Sequence, residues 1–381
     1  MIDIQKDLPE IFEEFAEARR NAFLKVKEVK DKNIPVVGVF CTFFPQELAI
    51  AAGATSVSLC STSDETIPDA ERDLPKNLCP LIKSSYGFAI TDKCPFFHFS
   101  DLIVGETTCD GKKKMYEYLA KVKPVHVMEL PNKQSEQGLK LWYSEIIKMK
   151  EYLEKFLDVE ITDEGIREAI RVKNAERSAI KDFYGIMKDE ELPIMGLDLW
   201  HVLNGATFKF DKRAIPEELK ALKEKVLSEH KHIKGRPRIL VTGCPIGGAT
   251  EKVISAIEDN GGIVVAYENC GGAKAIGRNV EEGTDDPYMA IAEKYLNIGC
   301  ACMSPNPNRR ELLSRMIDEY KVDGVVDMHL QTCTPFQVES LEIKNFCNDE
   351  KKIPYIAVET DYSKSDVGQL NTRLAAFVEM I

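Results

Sequence analysis

Residues 101–119 read DLIVGETTCDGKKKMYEYL, and this stretch decides the fold. Leu102, Ile103 and Val104 form a short apolar run of the kind that makes a buried parallel strand. Gly105 ends the run, Thr107 and Thr108 offer capping hydroxyls, and Cys109 stands where the chain turns. Residues 112–119 then read as a helix, with Met115, Tyr118 and Leu119 as its inward side. A thiol between a strand's carboxyl end and a helix N-terminus faces amide donors and the positive end of the helix dipole. Both favour the thiolate, the form that ligates metals and acts as a nucleophile. The arrangement recurs at residues 325–333, VVDMHLQTC, where Cys333 closes a strand-like run and residues 338–346 read as a helix. Two such thiols at matching points of two similar domains predict one shared metal site.

A chain of 381 residues suits two domains of about 100–150 residues with helical additions. Its 62 acidic and 50 basic residues leave a net charge of −12, and 44% of it is hydrophobic. That balance fits a globular chain and provides no basic footprint for nucleic acid. No run approaches the roughly 18 apolar residues of a membrane span. The N-terminal MIDIQKDLPEIFEEF is acidic and amphipathic, without a signal-peptide core. A cytoplasmic protein with no membrane partner is expected. Eleven cysteines are many for that compartment, where disulfides are disfavoured. Buried apolar thiols, a redox catalyst and a metal site are the options. Cys79, Cys109, Cys270, Cys302 and Cys333 lie in loops bearing Pro, Gly or Thr rather than inside apolar runs. A zinc ribbon needs paired CxxC motifs, which are absent, and CxC occurs once, at Cys300 and Cys302. Thiols scattered along the chain and gathered by the fold suit an iron–sulfur cluster.

Residues 1–33 are expected to form N-terminal helices, 34–134 a first α/β domain, 135–235 a helical region and 236–381 a second α/β domain. In the first domain, strand signals at residues 36–40, 57–60, 102–104 and 126–131 alternate with helical ones, the pattern of an open parallel sheet. Residues 139–156, 162–187 and 216–227 are helical, the second opened by Thr162 as a cap. Strand signals resume at 238–244, 261–268, 322–330 and 353–361, and residues 369–381 make a final helix. Cysteines follow in the same order in both halves: Cys41 parallels Cys244, Cys60 parallels Cys270, Cys79 parallels Cys302 and Cys109 parallels Cys333. A duplicated domain with its binding cleft at the strands' carboxyl ends is the simplest reading.

Iron–sulfur ligation at Cys79, Cys109 and Cys333 stands here beside ordinary thiols and a nucleophilic cysteine, although none of the six histidines sits in a recognisable base motif. Gly247–Gly248 and Gly271–Gly272 offer room for phosphates but form neither GxGxxG nor a P-loop, so the chain has no ATP-binding motif of its own. Lys112, Lys113 and Lys114 are either an anion-binding patch or a solvated helix face. Glu106 and Glu359, at strand ends, are acid/base candidates or loop anchors. His98 and His329 read as packing or hydrogen-bonding residues.

The segments CTFFPQELAIAAGA, NLCPLIKSSYGFA, DLIVGETTCDGKKKMYEYLA, VDGVVDMHLQTC and IAVETDYS…GQLNTRLAAFVE together resemble the 2-hydroxyacyl-CoA dehydratase component-D family over residues 34–381. The resemblance implies two flavodoxin-like, doubly wound parallel-sheet domains with added helices, and an oxygen-sensitive cubane on Cys79, Cys109 and Cys333. FCTFFP, ENCGGAK and CACMSPN are similar to the branch called double-cubane cluster proteins. That branch implies two 4Fe-4S cubanes joined by a sulfide (8Fe-9S), held by Cys41, Cys79, Cys109, Cys270, Cys302 and Cys333. Cys60, Cys94, Cys244 and Cys300 are rivals for these places. The resemblance also implies a homodimer and a separate homodimeric ATPase reductase, with its own 4Fe-4S cluster, that drives electrons to very low potential. Small molecules would then be reduced at the cluster. The alternative is a subunit of a 2-hydroxyacyl-CoA dehydratase with a single 4Fe-4S cluster.

Overall fold

The computed structural model describes residues 10–229, 232–244 and 247–381. The chain separates into two compact units. The first comprises Phe23–Asn174 and Arg278–Arg309; the second comprises Ala175–Gly277 and Arg310–Ile381 with the described residues before Phe23. Of the N-terminal helices expected over residues 1–33, the part over residues 1–9 lies outside the described residues. The remainder is one helix, α1 (Glu10–Asp31).

From there the chain runs β1 (Val36–Val39), α2 (Gln46–Ala51), β2 (Thr55–Ser58), α3 (Ile67–Ala70), α4 (Pro80–Ile90), α5 (Pro95–Phe99), β3 (Leu102–Glu106), α6 (Asp110–Leu119) and β4 (Val125–Met128). The four strands form one parallel sheet in the order β2-β1-β3-β4. Strands β1 and β3 are buried along their whole length. Their continuous Val/Ile/Leu character is what a strand covered on both faces requires. The outer strands β2 and β4 mix buried and exposed positions. Because the connections leave β1 in opposite directions, right-handed crossovers place helices on both faces.

Four long helices follow: α7 (Glu136–Leu157), α8 (Asp163–Tyr184), α9 (Gly196–Thr207) and α10 (Ile215–Glu229). The Ser135 side chain accepts from Gly138 N at 3.1 Å to start α7, and Thr162 Oγ1 does the same for Gly165 N at 3.1 Å to start α8. The second sheet then assembles from β5 (Arg238–Gly243), α11 (Gly248–Glu258), β6 (Ile263–Tyr267) and α12 (Ala273–Ile276). Helices α13 (Pro287–Leu296) and α14 (Pro307–Glu319) precede β7 (Gly324–Leu330), α15 (Thr334–Asn345), β8 (Tyr355–Thr360) and α16 (Val367–Met380). Its order, β6-β5-β7-β8, is again all parallel and repeats the first sheet strand for strand. The architecture is thus two flavodoxin-like, doubly wound α/β sheets with added helices.

Helix α13 is grouped with the first sheet although it lies between strands of the second. The Gln134 amide donates to the carbonyls of Leu296 (3.0 Å) and Ile298 (3.1 Å). Ser304 N donates to Asn132 O at 2.8 Å, and the Tyr295 hydroxyl to Glu47 at 2.8 Å. Among the described residues no helix is long and apolar enough to cross a membrane.

Candidate functional site

In each sheet the strand order reverses between its two central strands, and the carboxyl ends there are where α/β sheets bind ligands. In the first unit Cys41 follows the β1 end closely and Cys109 follows β3; in the second, Cys244 follows β5 and Cys333 follows β7.

Cys79, Cys109 and Cys333 share a further feature: each is the N-cap residue of a helix, of α4, α6 and α15 respectively. Their carbonyls open those helices, accepting from Lys83 N (3.1 Å), Lys113 N (3.1 Å) and Gln337 N (3.0 Å). The Cys109 sulfur makes no capping hydrogen bond and is half-buried. The loop before Cys79 is tied by buried Lys83, whose ammonium bonds the Lys76 carbonyl at 2.8 Å and Glu71 at 2.9 Å. Gly111, just after Cys109, sits so close to Leu78 and Ile82 that a Cβ there would lie 2.5 Å from Ile82 Cδ1. The missing side chain lets the Cys79 and Cys109 segments approach.

A buried polar group lies near Cys109 and Cys41. The Phe40 carbonyl, at the end of β1, accepts from Lys112 Nζ at 3.0 Å and from Cys60 Sγ at 3.1 Å. Burial alone would lower the proton affinity of the Lys112 ammonium. The acidic groups around it, Cys60, Tyr116, Cys41 and Cys109, more than offset that and raise its pKa well above the ordinary lysine value. Burial pushes the Cys60 thiol up, against the pull of Lys112. Glu106, wholly buried at the end of β3, has neither carboxylate oxygen hydrogen-bonded, and burial pushes it up to about 8 against the same pull. The Tyr116 hydroxyl is also buried without a hydrogen-bond partner. Its ring lies over Gly105, where a Cβ would stand 2.4 Å away. Tyr116, not Tyr118, is therefore the inward tyrosine of α6; Tyr118 is 37% exposed.

The expected lysine cluster divides. Lys113 and Lys114 are exposed and paired with Asp110 and Glu117 at 2.7 Å each, whereas Lys112 is buried. Glu359 is exposed and accepts from the Gln337 amide, which ties the end of β8 to α15 rather than anchoring a loop. Glu106 is not anchored in this way. His98 pairs at the surface with Asp92 at 3.0 Å, and buried His329 stands 3.1 Å from Asp327.

In the second unit the Cys333 and Cys244 sulfurs are 3.4 Å apart. Backbone geometry sets this up. Gly243 has φ +114°, and a Cβ there would lie 1.9 Å from the Met328 carbonyl, which accepts from Cys244 N. Thr332, just before Cys333, is held at φ +57°, a left-handed conformation that β-branched residues rarely adopt. Cys270 follows β6 in a tight turn. Behind it, Gly271 and Gly272 are packing positions: a Cβ would meet the Trp200 ring at 2.9 Å and the Tyr267 carbonyl at 2.1 Å. Buried Lys274 lies 3.5 Å from Glu268, whose other oxygen accepts from Thr242 at 2.5 Å.

Cys302, paired by chain order with the second sheet, is grouped with the first unit, as are Cys41, Cys79 and Cys109; Cys270 and Cys333 belong to the second. Two of the rivals have structural duties. Cys60 donates to Phe40, and Cys94 caps α5 by accepting from Phe97 N at 3.4 Å, with burial raising its pKa. Among the described residues no three His, Cys, Asp or Glu side chains gather closely enough to hold one metal ion. The donor set nonetheless fits a thiolate-ligated cluster. It offers cysteines at helix starts, one of them, Cys109, near the buried Lys112 ammonium, and a cubane's ligands bind different irons and so stand further apart than those of a single ion. Beside Thr107 the first unit opens a cleft of about 730 Å³, lined also by Lys113, Glu129, Asn132, Lys133 and Ser135.

A model of the 2-hydroxyglutaryl-CoA dehydratase D-component family matches residues 41–381. A protein of Escherichia coli (strain K12), provisionally named dehydratase subunit YjiM, is 57% identical over 379 residues, covering 98% of this chain and 99% of that one. The (R)-phenyllactyl-CoA dehydratase beta subunit of Clostridium sporogenes is 23% identical over 362 residues, or 93% of this chain and 94% of its own. A benzoyl-CoA reductase subunit of Thauera aromatica is 19% identical over 363 residues, 92% of each chain.

Proposed function

The chain belongs to the 2-hydroxyglutaryl-CoA dehydratase D-component family, and on that premise we propose that it is the iron–sulfur component of an ATP-driven reductase. Its cluster is a double cubane on Cys41, Cys79, Cys109, Cys270, Cys302 and Cys333. It works in the cytoplasm as a homodimer and takes electrons from a separate ATP-hydrolysing iron–sulfur reductase. The observation that carries this reading is the set of cysteines at helix N-caps, Cys79, Cys109 and Cys333, with further cysteines at the strand ends. When bound, a low-potential cluster supplies single electrons to small molecules that resist ordinary reduction.

The chain's own residues do the rest. Helix N-terminal amides at Cys79, Cys109 and Cys333 stabilise thiolate charge. Lys83 and Gly111 fix the Cys79 loop against the start of α6. The cleft beside Thr107 offers space and polar groups for a substrate. The lack of a nucleotide motif agrees with ATP being hydrolysed on a partner.

A second reading is favoured by the names of the relatives, one of which is a dehydratase subunit and another provisionally named as one. In it the chain holds one 4Fe-4S cluster and acts with a different subunit on a 2-hydroxyacyl-CoA. Anaerobic mixing with an ATP-hydrolysing reductase separates the readings. The first expects the chain's electron paramagnetic resonance signal to change only with ATP and small molecules to be reduced. Dehydration of a 2-hydroxyacyl-CoA without reduction of small molecules would replace it with the second.

A further inference from the structure

The three-lysine run after Cys109 is the feature of the sequence that the proposed function leaves unused, and the structure singles out its first member. Lys112 is 9% exposed while its neighbours are solvated and ion-paired. Its ammonium reaches back across the β1–β3 switch point to the Phe40 carbonyl, the peptide that leads into Cys41. Cys60 Sγ bonds the same carbonyl, so the charge, Cys41 and Cys60 converge on one peptide unit. The Phe40 ring, 5.9 Å from Nζ, covers it.

A buried cation ordinarily has a carboxylate partner. Among the described residues Lys112 has none in ion-pair contact; Glu106, which feels its charge, makes no hydrogen bond to it. The second unit differs. There the buried lysine that follows Cys270, Lys274, stands 3.5 Å from Glu268 and is neutralised by it. An uncompensated ammonium is therefore particular to the first unit, next to thiols that are proposed ligands.

We propose that Lys112 is a positioning residue whose fixed positive charge stabilises electron density on the sulfurs of Cys41 and Cys109, raising the reduction potential of the group they hold. This rests on the iron–sulfur reading above. The physical reason is Coulombic. Adding an electron to a thiolate-ligated cluster adds negative charge, and a nearby cation in a low-dielectric site favours the reduced state.

The test is a redox titration, monitored by electron paramagnetic resonance, of the anaerobically purified full-length chain and of its Lys112→Met and Lys112→Arg variants, with iron measured in each. The expected result is an iron-loaded Lys112→Met chain whose reduction equilibrium is about tenfold less favourable, a drop of about 59 mV for a one-electron couple, with Lys112→Arg close to the parent. Loss of iron in Lys112→Met with retention in Lys112→Arg supports the same conclusion, because charge is then what the loaded site requires. An iron-loaded Lys112→Met chain at the parent's potential overturns the inference alone. So does a Lys112→Arg chain that behaves like Lys112→Met, or loss of iron in both, which would make Lys112 a packing residue. A parent chain without iron overturns the iron–sulfur reading and the inference with it.

Discussion

Two residues decide much of the local geometry, and each makes a measurable demand. Gly243 holds a left-handed conformation with no room for a Cβ against the Met328 backbone. The change Gly243→Ala should cost roughly 2–4 kcal/mol of unfolding free energy in denaturant melts and displace Cys244. An unchanged midpoint would contradict the close approach of β5 and β7. Glu106 has a folded pKa of about 8, above the ordinary 4.5, so the folded chain keeps a proton that the unfolded chain releases. Stability must then fall as pH rises from about 4.5 to 8 and level off above. Glu258, pushed to about 7 by burial, and Asp198, to about 6, act in the same direction. Chemical melts of Glu106→Gln at pH 5 and pH 8 should show a smaller fall than the parent. Equal falls would mean that Glu106 is ionised in the fold. The strand-end position of Glu106 is legible in the sequence. The burial of Lys112 beside a solvated Lys113 is not, because a run of like charges carries no face information until the tertiary partner, here the Phe40 carbonyl, is known.

At the scale of elements, central strands such as β1, β3 and β5 are legible because strands buried on both faces are rich in Val, Ile and Leu, and the cysteine after each central strand is legible with them. The boundary of β2 differs from expectation: the apolar positions suggest residues 57–60, but pairing with β1 runs over Thr55–Ser58. Helix α9 has no sequence signal of its own. Its sequence, GLDLWHVLNGAT, has glycines near both ends, and its start is held from a distance. The Glu258 carboxyl accepts from Gly196 N at 2.7 Å and Leu197 N at 3.3 Å, and also from Val264 N at 3.2 Å. No local cap announces such a helix. Glu258→Ala would remove the acceptor of three part-buried N–H groups and should cost roughly 2–4 kcal/mol, whereas Glu258→Gln, which keeps an acceptor, should cost much less. Thermal melts of the two variants distinguish them, and equal losses would contradict the capping role.

For the whole molecule, chain order misleads where the units interleave. Residues 278–309 follow the second sheet's β6 but are held by Asn132, Gln134 and Glu47 of the first unit. Cys302 goes with them, a placement no periodicity reveals. The candidate ligands are legible as cysteines in loops and at strand ends; the choice among rivals is not, since the Cys333–Cys244 contact and the hydrogen bond of Cys60 exist only in three dimensions. Iron per chain should survive Cys60→Ala, which removes a thiol engaged with Phe40, and fall sharply in Cys109→Ala. The reverse pattern would reassign the ligands. The measurement that tests the central claim most directly is iron and acid-labile sulfide per chain in the anaerobically purified protein. About eight irons, with slightly more sulfide than iron, is the predicted result for a double cubane on six thiolates. About four irons would leave a single cluster and favour the dehydratase reading, and no iron under strict exclusion of oxygen would contradict the account outright.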